Sequence, residues 1–202
     1  MSEAVERPMP AESRGEAPGR GRLAGRRILV VGGGQDDRGQ DDAPIGNGRA
    51  MCVLFLREGA NVVVADRNAE AAKGTIDILA RDLRTPRGNA IVNGRGAAAV
   101  VADVAKPNDI KRMVESAHAV GGLDGLVYNV GIGAGEPWLA GATPESWDRV
   151  FAVNLRGAML TLQAAMPVLA DGSSIVLISS IASMKAGSGC RHTMRRRPRL
   201  AA

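Results

Sequence analysis

The sequence is poor in the residues that build several common kinds of site. Aromatic residues make up 2% of its 202 positions, with a single tyrosine, so we predict a core of valine, leucine, isoleucine and alanine. Two cysteines, Cys52 and Cys190, are too few for a disulfide framework or a cysteine-based zinc site, and Cys52 is expected to be a small buried hydrophobe. With only two histidines, no metal site is predicted. No apolar run reaches the roughly 18 residues of a membrane span and no secretory apolar segment opens the chain, so we expect a soluble, cytoplasmic protein.

The charge of the chain is uneven, and this sets the expected domain boundaries. The net charge is +5, and five arginines lie between Arg191 and Arg199. A basic tail can bind nucleic acid, but no basic stripe with aromatics occurs elsewhere, so a nucleic-acid partner is not expected. Residues 1–25 are rich in Glu, Arg, Pro and Gly and are predicted to be a disordered arm. We predict one domain over residues 26–189, followed by an aberrant basic tail over 190–202.

Between these ends, short apolar runs alternate with helical patterns. The predicted strands cover residues 27–31, 61–66, 97–101, 123–128 and 174–178. The predicted helices cover 51–58, 69–83, 108–120 and 143 to about 169, with a loop over 84–96. This alternation predicts an α/β fold with a doubly wound, Rossmann-like parallel sheet. Ligands of such sheets bind at the carboxyl ends of the strands, where the strand order reverses.

The first predicted strand ends in a glycine-rich turn that is suited to a dinucleotide pyrophosphate. Gly32-Gly33-Gly34 follows the strand, and Gly46-Asn47-Gly48 opens the next helix. Backbone N–H groups at a helix N-terminus attract phosphate, and glycines leave room for its approach. We predict that Gly32, Gly34, Gly46, Asn47 and Gly48 contact the cofactor. The insert between Gln35 and Pro44, with four aspartates, departs from the usual short spacing of such turns.

The second predicted strand ends in Asp66, which points to the cofactor type. A carboxylate at this position accepts hydrogen bonds from the adenosine ribose hydroxyls and repels a 2′-phosphate. NAD is therefore favoured over NADP. Arg67 could contact a phosphate, and this leaves NADP open.

Taken together, these segments resemble the short-chain dehydrogenase/reductase family over about residues 24–189. The matching segments, in the family's order, are Val31-Gly32-Gly33-Gly34, Ile45-Gly46-Asn47-Gly48-Arg49-Ala50, Ala65-Asp66-Arg67, Ala102-Asp103-Val104, Asn129-Val130-Gly131, Val153-Asn154-Leu155 and Ile178-Ser179-Ser180. The resemblance implies that Asp103 and Val104 flank the adenine. It also implies that Asn129 and Gly131 shape the turn at the nicotinamide, with Asn129 tying adjacent strands together.

The resemblance further implies hydride transfer between NAD(H) and an alcohol or ketone. Ser180 would polarise the substrate oxygen, and Asn154 would hold a water of the proton relay through its backbone or side chain. The family's proton donor is a tyrosine about thirteen residues after the serine, with a lysine four residues later. Here those positions hold Thr193 and Arg197, neither of which can replace the pair. This chain is therefore expected to be an inactive, truncated or frameshifted member.

A shifted reading frame would account for the tail. With one permitted set of codons for residues 190–200, dropping two bases yields Pro-Ala-Tyr-Asp-Ala-Ser-Lys-Ala-Ala-Leu, whose tyrosine and lysine codons overlap those of Thr193 and Arg197. We therefore hypothesise an out-of-frame translation after residue 189. Its consequence would be a fifth strand left as an exposed edge.

Other interpretations remain open at this stage. One is a non-catalytic nucleotide-binding remnant, and another is a Rossmann-like enzyme such as a methyltransferase. The segments Asn129-Val130-Gly131 and Ile178-Ser179-Ser180 argue against the methyltransferase. The long helix from Thr143 is of the kind that pairs with a second copy in this family, so a homo-oligomer is possible.

Overall fold

The protein is built around one mainly parallel sheet. The computed structural model describes residues 19–35, 44–82, 91–92, 95–119, 121–133 and 141–180. Its strands are β1 Arg27–Val31, β2 Asn61–Asp66, β3 Ile91–Val92, β4 Arg95–Val101, β5 Leu123–Tyr128 and β6 Leu169–Leu177. They are arranged in the order β3-β4-β2-β1-β5-β6, and all neighbours are parallel except the short β3–β4 pair. The predicted parallel α/β fold is thus confirmed.

The helices between the strands follow the spacing of their apolar residues. They are α1 Asn47–Arg57, α2 Ala69–Asp82, α3 Pro107–Ala119, α4 Pro144–Phe151 and α5 Gly157–Ala165. In α3, for example, the buried residues Ile110, Met113, Val114 and Ala117 recur every three or four positions, as one helical face requires. None of the described helices is both long and apolar enough to cross a membrane.

The central strands of the sheet are covered on both faces, and each face has its own core. Leu29 and Val31 of β1 pack with residues of α3 and α5, including Ile110, Met113 and Ala165. The alternate residues Ile28 and Val30 pack with residues of α1 and α2, including Cys52, Leu56 and Ile76. Because successive strand residues point to opposite faces, apolar residues in unbroken runs indicate a sheet buried on both sides. The burial of Cys52 agrees with its expected role as a small hydrophobe.

Four of the predicted elements differ from those in the structure. Helix α1 begins at Asn47 rather than at residue 51. The long helix expected from Thr143 is interrupted by a π-helical turn, Ala152–Arg156, and ends in the 3-10 turn Met166–Val168. Strand β6 starts at Leu169 rather than at residue 174, because Leu169 already pairs with β5. The strand includes the polar residues Asp171 and Gly172, and its register with β5 is irregular there. The predicted loop over 84–96 contains β3 and the start of β4.

The end of the predicted disordered arm is held against the body of the domain. The backbone N–H groups of Arg20 and Arg22 both donate to Glu58 Oε2 at 3.1 Å, and that of Leu23 donates to the Glu58 carbonyl. These residues of the predicted arm are therefore hydrogen-bonded to the end of α1. The arm prediction for residues 1–18, like the tail prediction for 190–202, lies outside the described residues.

The outer strand β6 is exposed, as expected for an edge. Among the described strands only β5 pairs with it. Its last residues and the next one, Ile175, Val176, Leu177 and Ile178, are 38–53% exposed. Because consecutive residues point to opposite faces, both faces of this strand end lie open in the described part of the chain.

Candidate functional site

The sequence-predicted site residues gather at one edge of the sheet. The strands β1, β2, β4, β5 and β6 are parallel, so the loops that follow them leave the sheet on the same side. Strand β1 lies in the middle, with β2 on one side and β5 on the other. The chain therefore reverses its direction of winding at β1, which is where doubly wound sheets form a ligand crevice.

The glycine-rich turn after β1 is fastened to both neighbouring strands. Gly32 has a φ of +81°, a conformation that favours glycine, and its N–H donates to the Ala65 carbonyl at 2.8 Å. The Gly32 carbonyl accepts a hydrogen bond from Asn129 Nδ2 at 3.0 Å, and the Asn129 N–H donates to the Val31 carbonyl. Asn129 thus ties the exits of β1 and β5 together, the strand-tying role that the family resemblance implied.

Helix α1 starts directly against this turn because Gly48 has no side chain. A Cβ added at Gly48 would overlap the Gly32 carbonyl oxygen and lie 2.8 Å from Asn129 Nδ2. The N-cap residue is Gly46, which has no side chain to cap the helix, and its own N–H donates to Gln35 Oε1 at 3.1 Å. No acidic residue occurs in its first turn, and Asn47 is exposed there. The N–H groups and the positive end of the helix dipole are thus suited to an anion.

Two other glycines at this edge have few neighbours among the described residues. A Cβ added at Gly46 would have Gln35 Cγ, at 3.9 Å, as its nearest described neighbour. A Cβ added at Gly131, in the exit turn of β5, would meet no described atom within 4 Å. The glycines therefore differ, since Gly48 is required by packing, whereas side chains at Gly46 and Gly131 would meet no close neighbour among the described residues. This arrangement fits the pyrophosphate and nicotinamide ends of a dinucleotide.

Asp66 lies at the carboxyl end of β2, next to the glycine-rich turn. Its carboxylate accepts hydrogen bonds from the N–H groups of Gly34 and Asn68, each at 3.0 Å. A Cβ at Gly34 would lie only 2.6 Å from Asp66 Oδ2, so a glycine is needed for this contact. A carboxylate has about four acceptor positions, so Asp66 can still accept hydrogen bonds from a ligand hydroxyl. Arg67 beside it is exposed.

The loop after β4 is organised by an aspartate that the sequence analysis missed. Asp109, near the start of α3, accepts a hydrogen bond from the Asp103 N–H at 3.1 Å, and this bond lowers the pKa of Asp109. Asp103 Oδ1 in turn accepts from the Ala105 N–H at 2.9 Å. Val104 is 5% exposed and packs in the core shared with α3 and α5. A Val104 contact with an adenine would therefore have to involve its backbone.

Asn154 occupies the π-helical turn and contacts the loop after β5. Its Oδ1 accepts from the Ile132 N–H at 2.8 Å, and its Nδ2 donates to the Ile132 carbonyl at 2.9 Å. This places Asn154 beside the turn formed by residues 129–131. Each of these two side-chain atoms makes one hydrogen bond to Ile132 and keeps one further acceptor or donor position, so both predicted ways for Asn154 to hold a water remain.

Ser180 follows the end of β6 and is exposed. The Ile178 N–H donates to the Tyr128 carbonyl at 2.9 Å, so this end of the chain runs beside the exit of β5. Tyr128 itself points into the core, and its hydroxyl donates to the Val153 carbonyl at 2.6 Å. Burial raises the pKa of this phenol. The single tyrosine of the sequence is thus a buried hydrogen-bond donor.

Two further polar residues support the turn from below. The buried Thr75 hydroxyl of α2 donates to the Gly33 carbonyl at 2.9 Å, and Arg49 Nε of α1 donates to Thr75 Oγ1 at 3.0 Å. The sequence signal for Thr75 was a hydroxyl residue on the buried face of an amphipathic helix, beside Ala72, Ile76 and Leu79.

In the part of the chain that the structure describes, no group of three or more His, Cys, Asp or Glu residues is placed to hold a metal. Burial raises the pKa of Cys52 to about 12, so this thiol stays protonated.

Comparisons with known proteins agree with this architecture. A family model described as enoyl-(acyl carrier protein) reductase matches residues 44–196. A protein of Mycobacterium tuberculosis, named an uncharacterized NAD-dependent oxidoreductase, is 32% identical over 85% of this chain and 61% of its own length. A crystal structure of a short-chain dehydrogenase from Mycobacterium smegmatis has a TM-score of 0.69 at 30% identity, covering 84% of this chain and 63% of that one.

A second solved structure, a short-chain dehydrogenase from Burkholderia cenocepacia in complex with NADP, has a TM-score of 0.67 at 30% identity. It covers 83% of this chain and 60% of its own. The chain spans between about half and three fifths of the length of the curated relatives it matches. Since the family model extends over well more than half of the sequence, and the sheet and turns agree, the chain belongs to the short-chain dehydrogenase/reductase family.

Proposed function

We propose that this chain carries the nucleotide-binding part of an oxidoreductase that transfers hydride between NAD(H) and an alcohol or ketone. The observation that carries the proposal is the arrangement around β1. The N-terminus of α1, where the N-cap is a glycine and the first turn holds no acidic residue, begins at the Gly32 turn, and the Asp66 carboxylate lies one strand away. A phosphate-attracting site next to a hydroxyl-accepting site is what an adenosine diphosphate group requires.

The described residues suggest how the cofactor would be held. First-turn N–H groups of α1 would bind the pyrophosphate, and Asp66 would accept hydrogen bonds from the adenosine ribose. Asp103 would border the adenine, in a loop held by Asp109. Asn129 and Gly131 would border the nicotinamide ring, which supplies the carbon that exchanges hydride when the cofactor is bound.

We propose NAD as the preferred cofactor. The negative charge of Asp66 favours free ribose hydroxyls and repels a 2′-phosphate. The named relatives include both an NAD-dependent oxidoreductase and a structure holding NADP, so the family alone does not select one. Arg67 is exposed beside Asp66, where it could contact a 2′-phosphate and reduce the discrimination.

The substrate side of the proposal depends on Ser180 and Asn154. The Ser180 hydroxyl would donate a hydrogen bond to the substrate oxygen and stabilise negative charge on it. The π-turn with Asn154 lies beside the exit of β5, close to the proposed nicotinamide position.

A homo-oligomer is also proposed. The side chains of Trp147 and Phe151 on α4 stack with their ring centres 4.7 Å apart, and they remain 54% and 43% exposed.

A second candidate function is nucleotide binding without turnover. It is favoured by the position of Tyr128, whose hydroxyl is buried and donates to Val153 rather than facing the open edge of the sheet. Thr193 and Arg197 stand where the family pattern calls for tyrosine and lysine. Neither supplies an acid or base with a pKa near neutral pH. For this chain as written we therefore propose cofactor binding without catalysis.

Calorimetric titration with NAD⁺ and NADP⁺ tests cofactor binding and preference. We expect the chain to bind NAD⁺ more tightly, and Asp66→Asn to weaken NAD⁺ binding about ten-fold, as expected when a charged acceptor is lost. NADP⁺ binding should weaken less, because a repulsive charge is removed at the same time. Asp77→Asn, on α2, is the matched control and should change neither affinity. Folded protein that binds neither nucleotide would refute the proposed function, and equal losses for both would refute the role of Asp66.

Activity can be tested by restoring the alternative frame after residue 189. The repaired chain should form NADH from NAD⁺ and an alcohol, detected by absorbance across a panel of alcohols. The chain as written should form none under the same conditions. Turnover by the chain as written would contradict the proposed lack of catalysis, and sequencing the locus would test the frameshift directly.

A further inference from the structure

The π-helical turn leaves one carbonyl of the long helix with an unusual partner. In an unbroken α-helix the Gly157 N–H would donate to the Val153 carbonyl, four residues back. Here it donates to the Ala152 carbonyl, five residues back. Val153 is buried, so its carbonyl needs another donor to avoid a desolvation cost.

Tyr128 supplies that donor from the end of β5. Its hydroxyl donates to the Val153 carbonyl at 2.6 Å in a buried environment. Gly157 permits the approach, since a Cβ there would lie 2.7 Å from the Tyr128 hydroxyl. The raised pKa of Tyr128 keeps the hydroxyl protonated and therefore able to donate. The Tyr128 hydroxyl thus replaces the missing helix N–H at the Val153 carbonyl, and Gly157 leaves room for it.

The next residue connects this point to the candidate site. Asn154 follows Val153 within the same π-turn, and its side chain makes two hydrogen bonds to the backbone of Ile132, at 2.8 and 2.9 Å. Ile132 directly follows the exit turn of β5, in which Asn129 and Gly131 border the proposed nicotinamide position. The hydrogen bonds therefore connect Tyr128 to Val153, and the neighbouring Asn154 to Ile132, which lies four residues after Tyr128.

We propose that Tyr128 is a positioning residue whose hydroxyl holds the π-turn in register, so that Asn154 fixes the backbone at Ile132 on the nicotinamide side of the site. The contacts themselves stand on the structure, whereas the nature of the ligand they serve rests on the proposed function. A tyrosine that only filled the core would be replaceable by phenylalanine without effect at Ile132. The effect of Tyr128→Phe at Ile132 therefore distinguishes a positioning role of the hydroxyl from a core-filling role of the ring.

Amide hydrogen exchange in the full chain separates these two roles. Tyr128→Phe should accelerate exchange of the Ile132 amide roughly five-fold or more, the factor for one lost hydrogen bond of ordinary net strength. The Asn129 amide, which bonds to Val31 within the sheet, serves as the internal reference and should not change. Thr161→Val is the matched control, since it removes another buried hydroxyl, which donates to the Gly157 carbonyl at 2.7 Å. An unchanged Ile132 rate in folded Tyr128→Phe, or equal acceleration in Thr161→Val, would overturn the proposal.

Asn154→Ala provides a second variant that leaves the core intact, because Asn154 is exposed. It should accelerate Ile132 exchange even if Tyr128→Phe does not fold. No acceleration in this variant would show that Asn154 does not hold Ile132 and would also overturn the proposal.

Nucleotide affinity gives a readout that a purely structural role would not produce. Tyr128→Phe should weaken NAD⁺ binding roughly five-fold while leaving ADP binding unchanged, since ADP lacks the nicotinamide end. Equal weakening of both would indicate general loosening and overturn the proposal. If the parent chain binds neither NAD⁺ nor ADP, the proposed function fails, while the exchange rates at Ile132 still decide the role of Tyr128.

Discussion

At the scale of single residues, the glycines around the candidate site serve different physical ends. Gly32 adopts a positive φ in the turn, and Gly34 allows its N–H to reach the Asp66 carboxylate. Gly48 allows α1 to pack against the Gly32 carbonyl, whereas a Cβ at Gly46 would come no closer than 3.9 Å to any described atom. Predicted together as one phosphate-binding motif, these residues divide into those that build the turn and those that leave room above it.

This division predicts opposite outcomes for two substitutions that each add one methyl group. Gly48→Ala should lower the free energy of unfolding by about 2 kcal/mol, because the methyl group forces α1 away from Gly32 and Asn129. Gly46→Ala should leave that free energy nearly unchanged but weaken NAD⁺ binding, because its methyl group enters the open space. Urea unfolding and calorimetry measure the two effects. Equal stabilities of the two variants would contradict this assignment.

At the scale of elements, the N-terminal segment 19–25 is attached through one carboxylate. Glu58, at the end of α1, accepts backbone hydrogen bonds from Arg20 and Arg22 and a 2.8 Å hydrogen bond from the Arg22 guanidinium. These hydrogen bonds, with that of the guanidinium first, lower the pKa of Glu58 from 4.5 to about 2. The carboxylate form is therefore the form that holds the segment in place.

The sign of the resulting pH dependence follows from the lowered pKa. The attachment should be complete above about pH 4.5 and should be lost as the pH falls from there towards about 2. The amide NMR signals of Arg20 and Arg22 should titrate with a midpoint near the lower value. At neutral pH, Glu58→Gln should speed tryptic cleavage after these arginines, whereas Glu115→Gln on α3 should not. A midpoint near 4.5 would contradict the proposed attachment.

At the scale of the whole molecule, the strands of the sheet differ in how far helices cover them. The central strands β1, β2 and β5 are buried on both faces, while the end of β6 is open in the part of the chain that the structure describes. An exposed apolar strand edge is a template for pairing with other chains. We therefore expect this chain to aggregate through β6.

Two valines paired in register provide a direct test of that expectation. Val176 of β6 pairs with Val127 of β5, yet Val176 is 45% exposed and Val127 only 4%. Val176→Lys should increase the soluble fraction on expression without loss of folding, because the charge opposes edge-to-edge pairing. Val127→Lys should prevent folding, because it buries an unpaired charge. A parent chain that stays monomeric with one sharp, high thermal transition would contradict this expectation.

The elements that could be predicted were those whose signal is local in sequence. The apolar runs of β1, β2 and β5 and the spaced apolar residues of α3 specified their own structure. The positions of Gly32, Asp66 and Asn129 at one edge of the sheet could also be predicted, because each stands at the end of such a run. The start of β6 and the π-turn at Ala152–Arg156 were missed, since both depend on partners more than twenty residues away in sequence.

The sequence alone determined the class of fold, the edge of the sheet at which the candidate site residues meet and the order of its motifs, because periodicity and turn chemistry act over a few neighbouring residues. Only the tertiary structure decided that the Tyr128 hydroxyl donates to Val153, that Asn154 hydrogen-bonds to Ile132 and that Glu58 binds the segment 19–25. Each of these contacts joins residues that are 22 to 38 positions apart. Such pairs form only when packing of the sheet and helices brings them within hydrogen-bond distance, which no local pattern encodes.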